Sequence, residues 1–204
     1  MRTFKNLFVA LALFVNSNAQ EIGIAPAKLW TDNKEIENPY GLSLYFFQPI
    51  GKFGVKFEYV SAKNSSSYYG LLNGGFLIAP EDFVLDSISS KSTFRAIELS
   101  IHLQKLFEVF QNYLNIGVGI TFDKFTREKV GLSSNKRFET YENKFGIFYA
   151  VSISHQNIFN LPIKLELLFK HKSLMSGNFA TDIEQPFTGT IDVKELQFNF
   201  AYMF

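Results

Sequence analysis

The stretch Leu196-Gln197-Phe198-Asn199-Phe200-Ala201-Tyr202-Met203-Phe204 decides the fold. Leu196, Phe198, Phe200, Tyr202 and Phe204 fall on one face; Gln197, Asn199, Ala201 and Met203 fall on the other. A period of two is a β-strand, because successive Cβ atoms point to opposite sides of the chain. One face is bulky and apolar, and the other is small or polar. A strand in water gains little from such a face, whereas a strand whose outer side meets hydrocarbon requires it.

The same pattern recurs upstream. Ile22–Trp30 is a weaker first strand, interrupted by Pro26, which suits an edge or bulge. Tyr40–Gln48, Lys52–Ser61, Thr93–Leu103, Tyr113–Asp123, Asn143–His155 and Ile163–His171 alternate in turn, and Val193–Phe204 is the last strand. No helical period of comparable length appears. The expected fold is therefore all-β, an eight-stranded antiparallel up-and-down transmembrane barrel. The connections alternate in length. Those after strands one, three, five and seven (31–39, 62–92, 126–142 and 172–192) are longer and mostly polar. Those at 49–51, 104–112 and 156–162 are shorter. Alternate connections emerge on the same side of such a barrel, so one end carries loops and the other carries turns.

Within 62–92, Tyr68–Leu72 and Gly75–Ala79 flank Asn73-Gly74, a two-residue hairpin signal. Each arm is shorter than the roughly 9–11 residues of a membrane strand. The pair is expected as a hairpin outside the bilayer; the alternative lets both arms cross and gives ten strands.

Composition agrees with a membrane barrel. Hydrophobic residues make up 47% and aromatics 17%, with 24 Phe and one Trp, unusual for a soluble enzyme. A formal charge of +1 gives no reason to expect nucleic acid as a partner. The chain has no Cys, which excludes a disulfide scaffold and a thiolate metal site. Residues 1–19 read as a signal peptide. Arg2 and Lys5 are basic, Leu7–Val15 is a short apolar run, and Ser17-Asn18-Ala19 is a small-residue cleavage site. The apolar run falls short of the roughly 20 residues of a spanning helix. Residues 20–204 then form the barrel domain, with localisation in a cell outer membrane.

Alternation alone does not say which face is outside. A secreted lipocalin-like carrier turns its apolar face inward. Here the other face is rich in Gly54, Gly117, Gly119, Gly146, Ala150, Ser152 and Asn199, too small for a water-facing exterior and suited to a narrow lumen. With the apolar face outside, Lys56, Glu58, Glu98, His102, Asp123, Lys164, Glu166 and Lys170 point into the lumen. Both signs are present, so a mixed ion-pair network is expected to plug the interior. A narrow selective channel is the competing reading of the same charges.

These features resemble the small eight-stranded outer-membrane barrels of Gram-negative envelopes, the OmpA/OmpX-like barrels. The resemblance covers 20–204 and implies architecture rather than activity. It implies outer-membrane lipid and lipopolysaccharide as surroundings. It also implies that Phe200, Tyr202 and Phe204 form the signal read by the barrel-assembly machinery. A structural or surface-interaction role follows, with 62–92 and 172–192 as the contact surface.

No cofactor motif is present, and the spacing of His102, His155 and His171 calls for no metal. His171-Lys172-Ser173 with the later Glu184 resembles the His-x-Ser pair and Glu of the lipid A 3-O-deacylases, which are also eight-stranded barrels. That resemblance implies His171 as base for Ser173, with Glu184 orienting it. The family's Asn after the Ser is replaced by Leu174, so the match departs at that position.

Overall fold

A computed structural model describes residues 20–31, 38–72, 84–135, 137–176 and 191–204. Residues 1–19, read from the sequence as a signal peptide, lie outside the described residues. Eight strands follow in chain order: β1 Glu21–Thr31, β2 Tyr40–Ile50, β3 Phe53–Leu72, β4 Val84–Val109, β5 Asn112–Gly131, β6 Arg137–Gln156, β7 Ile163–Ser176 and β8 Ile191–Met203. Each pairs antiparallel with the next, and β1 pairs with β8, which closes the ring. Closure removes the sheet edge, the condition for strands to sit in hydrocarbon with every backbone group paired.

The barrel is inside-out relative to a soluble protein. Val118, Ile147 and Phe198 are 65%, 57% and 51% exposed on its outer face, while Glu58, Glu98 and Lys170 are each 1% exposed within. This orientation is opposite to that of a lipocalin-like carrier. The outward apolar positions run from Ile97 to Leu103 on β4, Leu114 to Phe122 on β5, Phe145 to Ile153 on β6 and Leu196 to Phe204 on β8. Most of these runs match the roughly 9 residues a strand needs to cross a bilayer.

β3 to β6 run furthest beyond what their alternation predicts. β3, β5 and β6 have 20 residues each and β4 has 26. Much of the expected loop 62–92 is therefore ladder: Ala62↔Phe94 to Leu72↔Val84 are consecutive β3–β4 partners. Tyr68–Leu72 pairs with Val84–Ile88 instead of folding back on Gly75–Ala79, so the separate hairpin is corrected. Asn73-Gly74 and Gly75–Ala79 lie outside the described residues, among which there are eight strands. Likewise β5 reaches Gly131 and β6 starts at Arg137 inside the expected loop 126–142. β7 continues to Ser176 and β8 begins at Ile191 inside 172–192. Extending an existing ladder requires no new loop closure, and a strand standing in water needs no apolar stripe. Hydropathy therefore missed these extensions.

The expected turn 104–112 also shrinks. β4 continues to Val109, which pairs with Asn112, leaving Phe110 and Gln111 as a two-residue turn with φ of 50° and 64°. Two left-handed residues make a turn that usually announces itself with Asn or Gly, and here neither is present. Gly51, at φ 63°, supplies the corresponding conformation between β2 and β3.

Candidate functional site

The lumen is built in three layers by the inward face of each strand. At the loop end lies an apolar layer. Leu29, Val60, Ala62, Phe94, Ala96, Phe125, Leu174, Ile191 and Val193 form one buried cluster with Ala27. The rings of Phe94 and Phe125 pack with centroids 4.9 Å apart. The middle layer is ionic. Lys170 Nζ lies 2.8 Å from Glu58 and 2.7 Å from Glu98, and 3.8 Å from Glu195. Lys172 contacts Glu98 and lies 2.7 Å from Glu195. Lys56 Nζ is 2.9 Å from Glu58. Gln197 donates to both Glu58 and Glu195. Lys56, Lys170 and Lys172 thus face Glu58, Glu98 and Glu195, and the formal charges cancel. A buried charge is tolerated only with such partners.

At the turn end Lys164 Nζ lies 2.9 Å from Glu21 and 3.9 Å from Glu166. Glu166 also accepts from Ser152 and, at 2.8 Å, from Asn199. His102 shares a 2.9 Å hydrogen bond between Nε2 and Ser100 and packs edge-on against Phe47. A small cavity with room for about one water lies among Glu21, Tyr45, Lys56, His102, Lys164 and Glu166.

The structure therefore gathers Lys56, Glu58, Glu98 and Lys170 into one network, and Lys164 with Glu166 into a second. His102 lines the cavity beside that second network. Asp123 accepts a 2.7 Å hydrogen bond from Thr121 nearer the loop end. Four members of the charged lumen were missed: Glu21, Lys144, Lys172 and Glu195. The signal was present. Extending the parity of Lys164–Lys170 by two residues reaches Lys172, and running Asn199–Gln197 back by two reaches Glu195. The apolar layer was missed as well, since Phe94 and Phe125 share the parity of the charged residues.

His171 is on the outer face. Its Nδ1 lies 3.0 Å from the Tyr149 hydroxyl, and its Nε2 lies 3.6 Å from Asp192. Ser173 is opposite Asp192 in the β7–β8 register. Among the described residues, Ser173 makes no hydrogen bond to His171, whose nitrogens face Tyr149 and Asp192. Glu184 lies outside the described residues. Phe200, Tyr202 and Phe204 are outward and 48%, 49% and 67% exposed. Among the described residues no cluster of His, Asp and Glu is arranged to hold a metal.

Beyond the apolar belt, β3–β6 rise as a four-stranded sheet. Asp86, on this extension, accepts from the Ser133 and Ser134 amides and from the Ser134 hydroxyl at 2.8 Å. These donors, Ser134 first, hold its carboxyl well below the usual carboxylate range.

No family model matches the chain, and no curated protein is similar to it in sequence. Solved structures are similar to it. The attachment invasion locus protein Ail of Yersinia pestis, in complex with the heparin analogue sucrose octasulfate, superposes with a TM-score of 0.52 at 12% identity over 91% of this chain and 97% of that one. Neisserial surface protein A gives 0.51 at 10% identity, covering 91% and 96%. A major outer membrane protein of Thermus thermophilus gives 0.55 at 12%, covering 91% and 99%. Closed ring, outward apolar belt and these superpositions together give the chain the fold of the small eight-stranded outer-membrane β-barrels.

Proposed function

We propose that the protein is an outer-membrane barrel with a structural or surface-interaction role, its lumen closed by its own side chains. Residues 1–19 act as the export signal, and the turn end faces the periplasm. The observation that carries the closed lumen is the neutral network of Lys56, Lys170 and Lys172 with Glu58, Glu98 and Glu195, lying beneath the Phe94–Phe125 layer. Eight strands enclose only enough space for side chains, so filled layers leave no path for ions.

The interaction surface is the sheet that β3–β6 raise above the membrane. β2 pairs with β3 no further than Lys63, and β7 pairs with β6 no further than Lys144. Residues 64–72 pair with β4 and residues 137–143 pair with β5, so these are the outermost described strands of the raised sheet. In planar bilayers the protein is expected to give no stepwise conductance. Regular steps whose ion selectivity changes in Lys164→Glu would reject the closed lumen and favour the channel.

One observation supports a second reading. His171 sits outward between Tyr149 and Asp192, two residues from Ser173, where a lipid would meet it. In this reading the barrel is a lipid A hydrolase related in mechanism to the deacylases. Acyl release from lipid A that is lost in Ser173→Ala supports it; no release by the native protein removes it.

A further inference from the structure

β1 and β8 close the ring, and their seam has a gap. The register runs from Glu21↔Met203 to Ile24↔Phe200, stops at Ala25 and Pro26, and resumes unshifted at Ala27↔Gln197. Two hydrogen bonds fix which way the backbone groups point. The Phe204 amide donates to the Gln20 carbonyl at 2.8 Å across this seam, and the Leu29 amide donates to the Pro39 carbonyl at 3.0 Å on the other side of β1. Backbone groups alternate along a strand, so even-numbered residues of β1 and β8 face each other, and odd-numbered residues of β1 face β2. Pro26 is even-numbered, and a prolyl nitrogen carries no hydrogen. The Phe198 carbonyl opposite therefore lacks the donor a ladder would supply. Phe198 stands in the apolar belt, where an unmade backbone bond is costly.

Side chains do not make up the deficit. Beyond Glu21, β1 turns Gly23, Ala25, Ala27 and Leu29 into the lumen, and none of them carries a polar side chain. On the outer face Lys28 leans over the rings of Trp30 and Tyr40, at 5.0 and 4.9 Å, which ties β1 to β2. The polar side chains of β8 are held from its other side: Glu195 by Lys170 and Lys172 of β7, and Asn199 by Glu166 of β7. The two halves of the seam differ, however. On the turn side Glu21 of β1 reaches past β8 to Lys164 of β7 at 2.9 Å and pins the three strands together. On the loop side Ala27 and Leu29 meet Ile191 and Val193 through apolar packing. Parting them puts apolar side chains against lipid chains and takes no charge from its partner.

We propose that the barrel wall carries a hinged slit. On the loop side of Pro26, residues 27–30 of β1 part from residues 194–197 of β8, while the turn side stays pinned by Glu21 and Lys164. The slit opens sideways into the lipid, and β1 swings with β2. It is a motion of the wall, not a path along the bore, so it does not depend on whether the bore is closed.

Amide hydrogen exchange of the full chain, folded in detergent micelles, tests the slit, because neighbouring amides of one strand report on different seams. The Lys28 and Trp30 amides point to β8, and those of Ala27 and Leu29 point to β2. One ladder bond is worth up to about tenfold in an opening equilibrium. In the native protein the Lys28, Trp30, Lys194 and Leu196 amides are expected to exchange about tenfold faster than those of Ala27 and Leu29, after correction for intrinsic rates. Pro26→Ala returns a donor to the Phe198 carbonyl and should slow the first four by about tenfold while leaving Ala27 and Leu29 unchanged. Pro49→Ala is the control: the Pro49 nitrogen turns toward β1 beyond Glu21↔Phe47, the last pair of that ladder, and no change is expected. A difference below about twofold in the native protein, or faster exchange at Ala27 and Leu29, would overturn the slit. So would a Pro26→Ala chain that slows no more than Pro49→Ala. If Pro26→Ala does not fold, the native pattern alone decides.

Discussion

Phe94 and Phe125 stack across the loop end of the lumen, ring centroids 4.9 Å apart and inclined by 56°. They come from adjacent strands, in register opposite each other, and both are nearly excluded from solvent. Deleting a buried ring removes its packing and leaves a void, at a cost of about 3–5 kcal/mol for Phe to Ala. Phe125→Ala is expected to lower the temperature at which the heat-modifiable band converts, while Phe122→Ala, on the outer face, shifts it far less. Equal shifts would show that the inner layer carries no special packing.

Lys170 lies within 2.8 Å of Glu58 and within 2.7 Å of Glu98. Removing one partner strands the others as buried charges, which costs about 3–5 kcal/mol. Lys170→Met alone should therefore destabilise the barrel to urea in detergent by about that amount. Glu98→Gln in the same chain should restore part of the loss. Additive effects in this double-mutant cycle would argue that the two groups do not interact.

Asp86 ties the β4 extension to the residues that follow β5 through the Ser133 and Ser134 amides. Its folded pKa is depressed. The stabilisation is then fully present above the ordinary aspartate value of about 3.9 and is lost only as pH falls through the lower folded value. Hydrogen exchange should show the Ser133 and Ser134 amides protected at neutral pH and still protected at about pH 4. Asp86→Asn should remove most of that protection at both. Loss of protection in the native protein already at about pH 5 would contradict the depressed value.

Phe200 and Tyr202 stand on the lipid face of β8. If they serve the assembly machinery, Phe200→Ser/Tyr202→Ser should lower the folded protein in the outer membrane several-fold while the exported, unfolded chain accumulates in the periplasm. Normal membrane levels of the double variant would remove that role.

Much of the architecture was legible because hydrocarbon imposes a strict code. Every residue from Leu114 to Phe122 on β5 has one of two faces, and the sequence alternates accordingly. The same parity identified Lys56, Glu58, Glu98 and Lys170. Legibility stopped where the strands leave hydrocarbon. Ser65-Ser66-Ser67 carries no alternation, yet it pairs with Ser89–Lys91 because the ladder is already in place. Lys172 and Glu195 differ from these, since the parity that marks Lys170 and Gln197 continues two residues to each of them. The Phe110-Gln111 turn carried no turn residue to read.

The ionic layer has a consequence for how the barrel is made. Glu58 and Glu98 belong to the first half of the chain, and Lys170 and Lys172 to the second. They meet only across the finished ring. Until β8 finds β1, Glu58 has Lys56 of its own strand and Lys170 and Lys172 have Glu195 of the neighbouring β8, but Glu98 lacks both its lysines. The pairs that cross the bore to Glu58 and Glu98 arrive with the last seam, so a ring closed in the wrong register would bury ions without their full set of partners. The charges packed inside the barrel also reward correct closure.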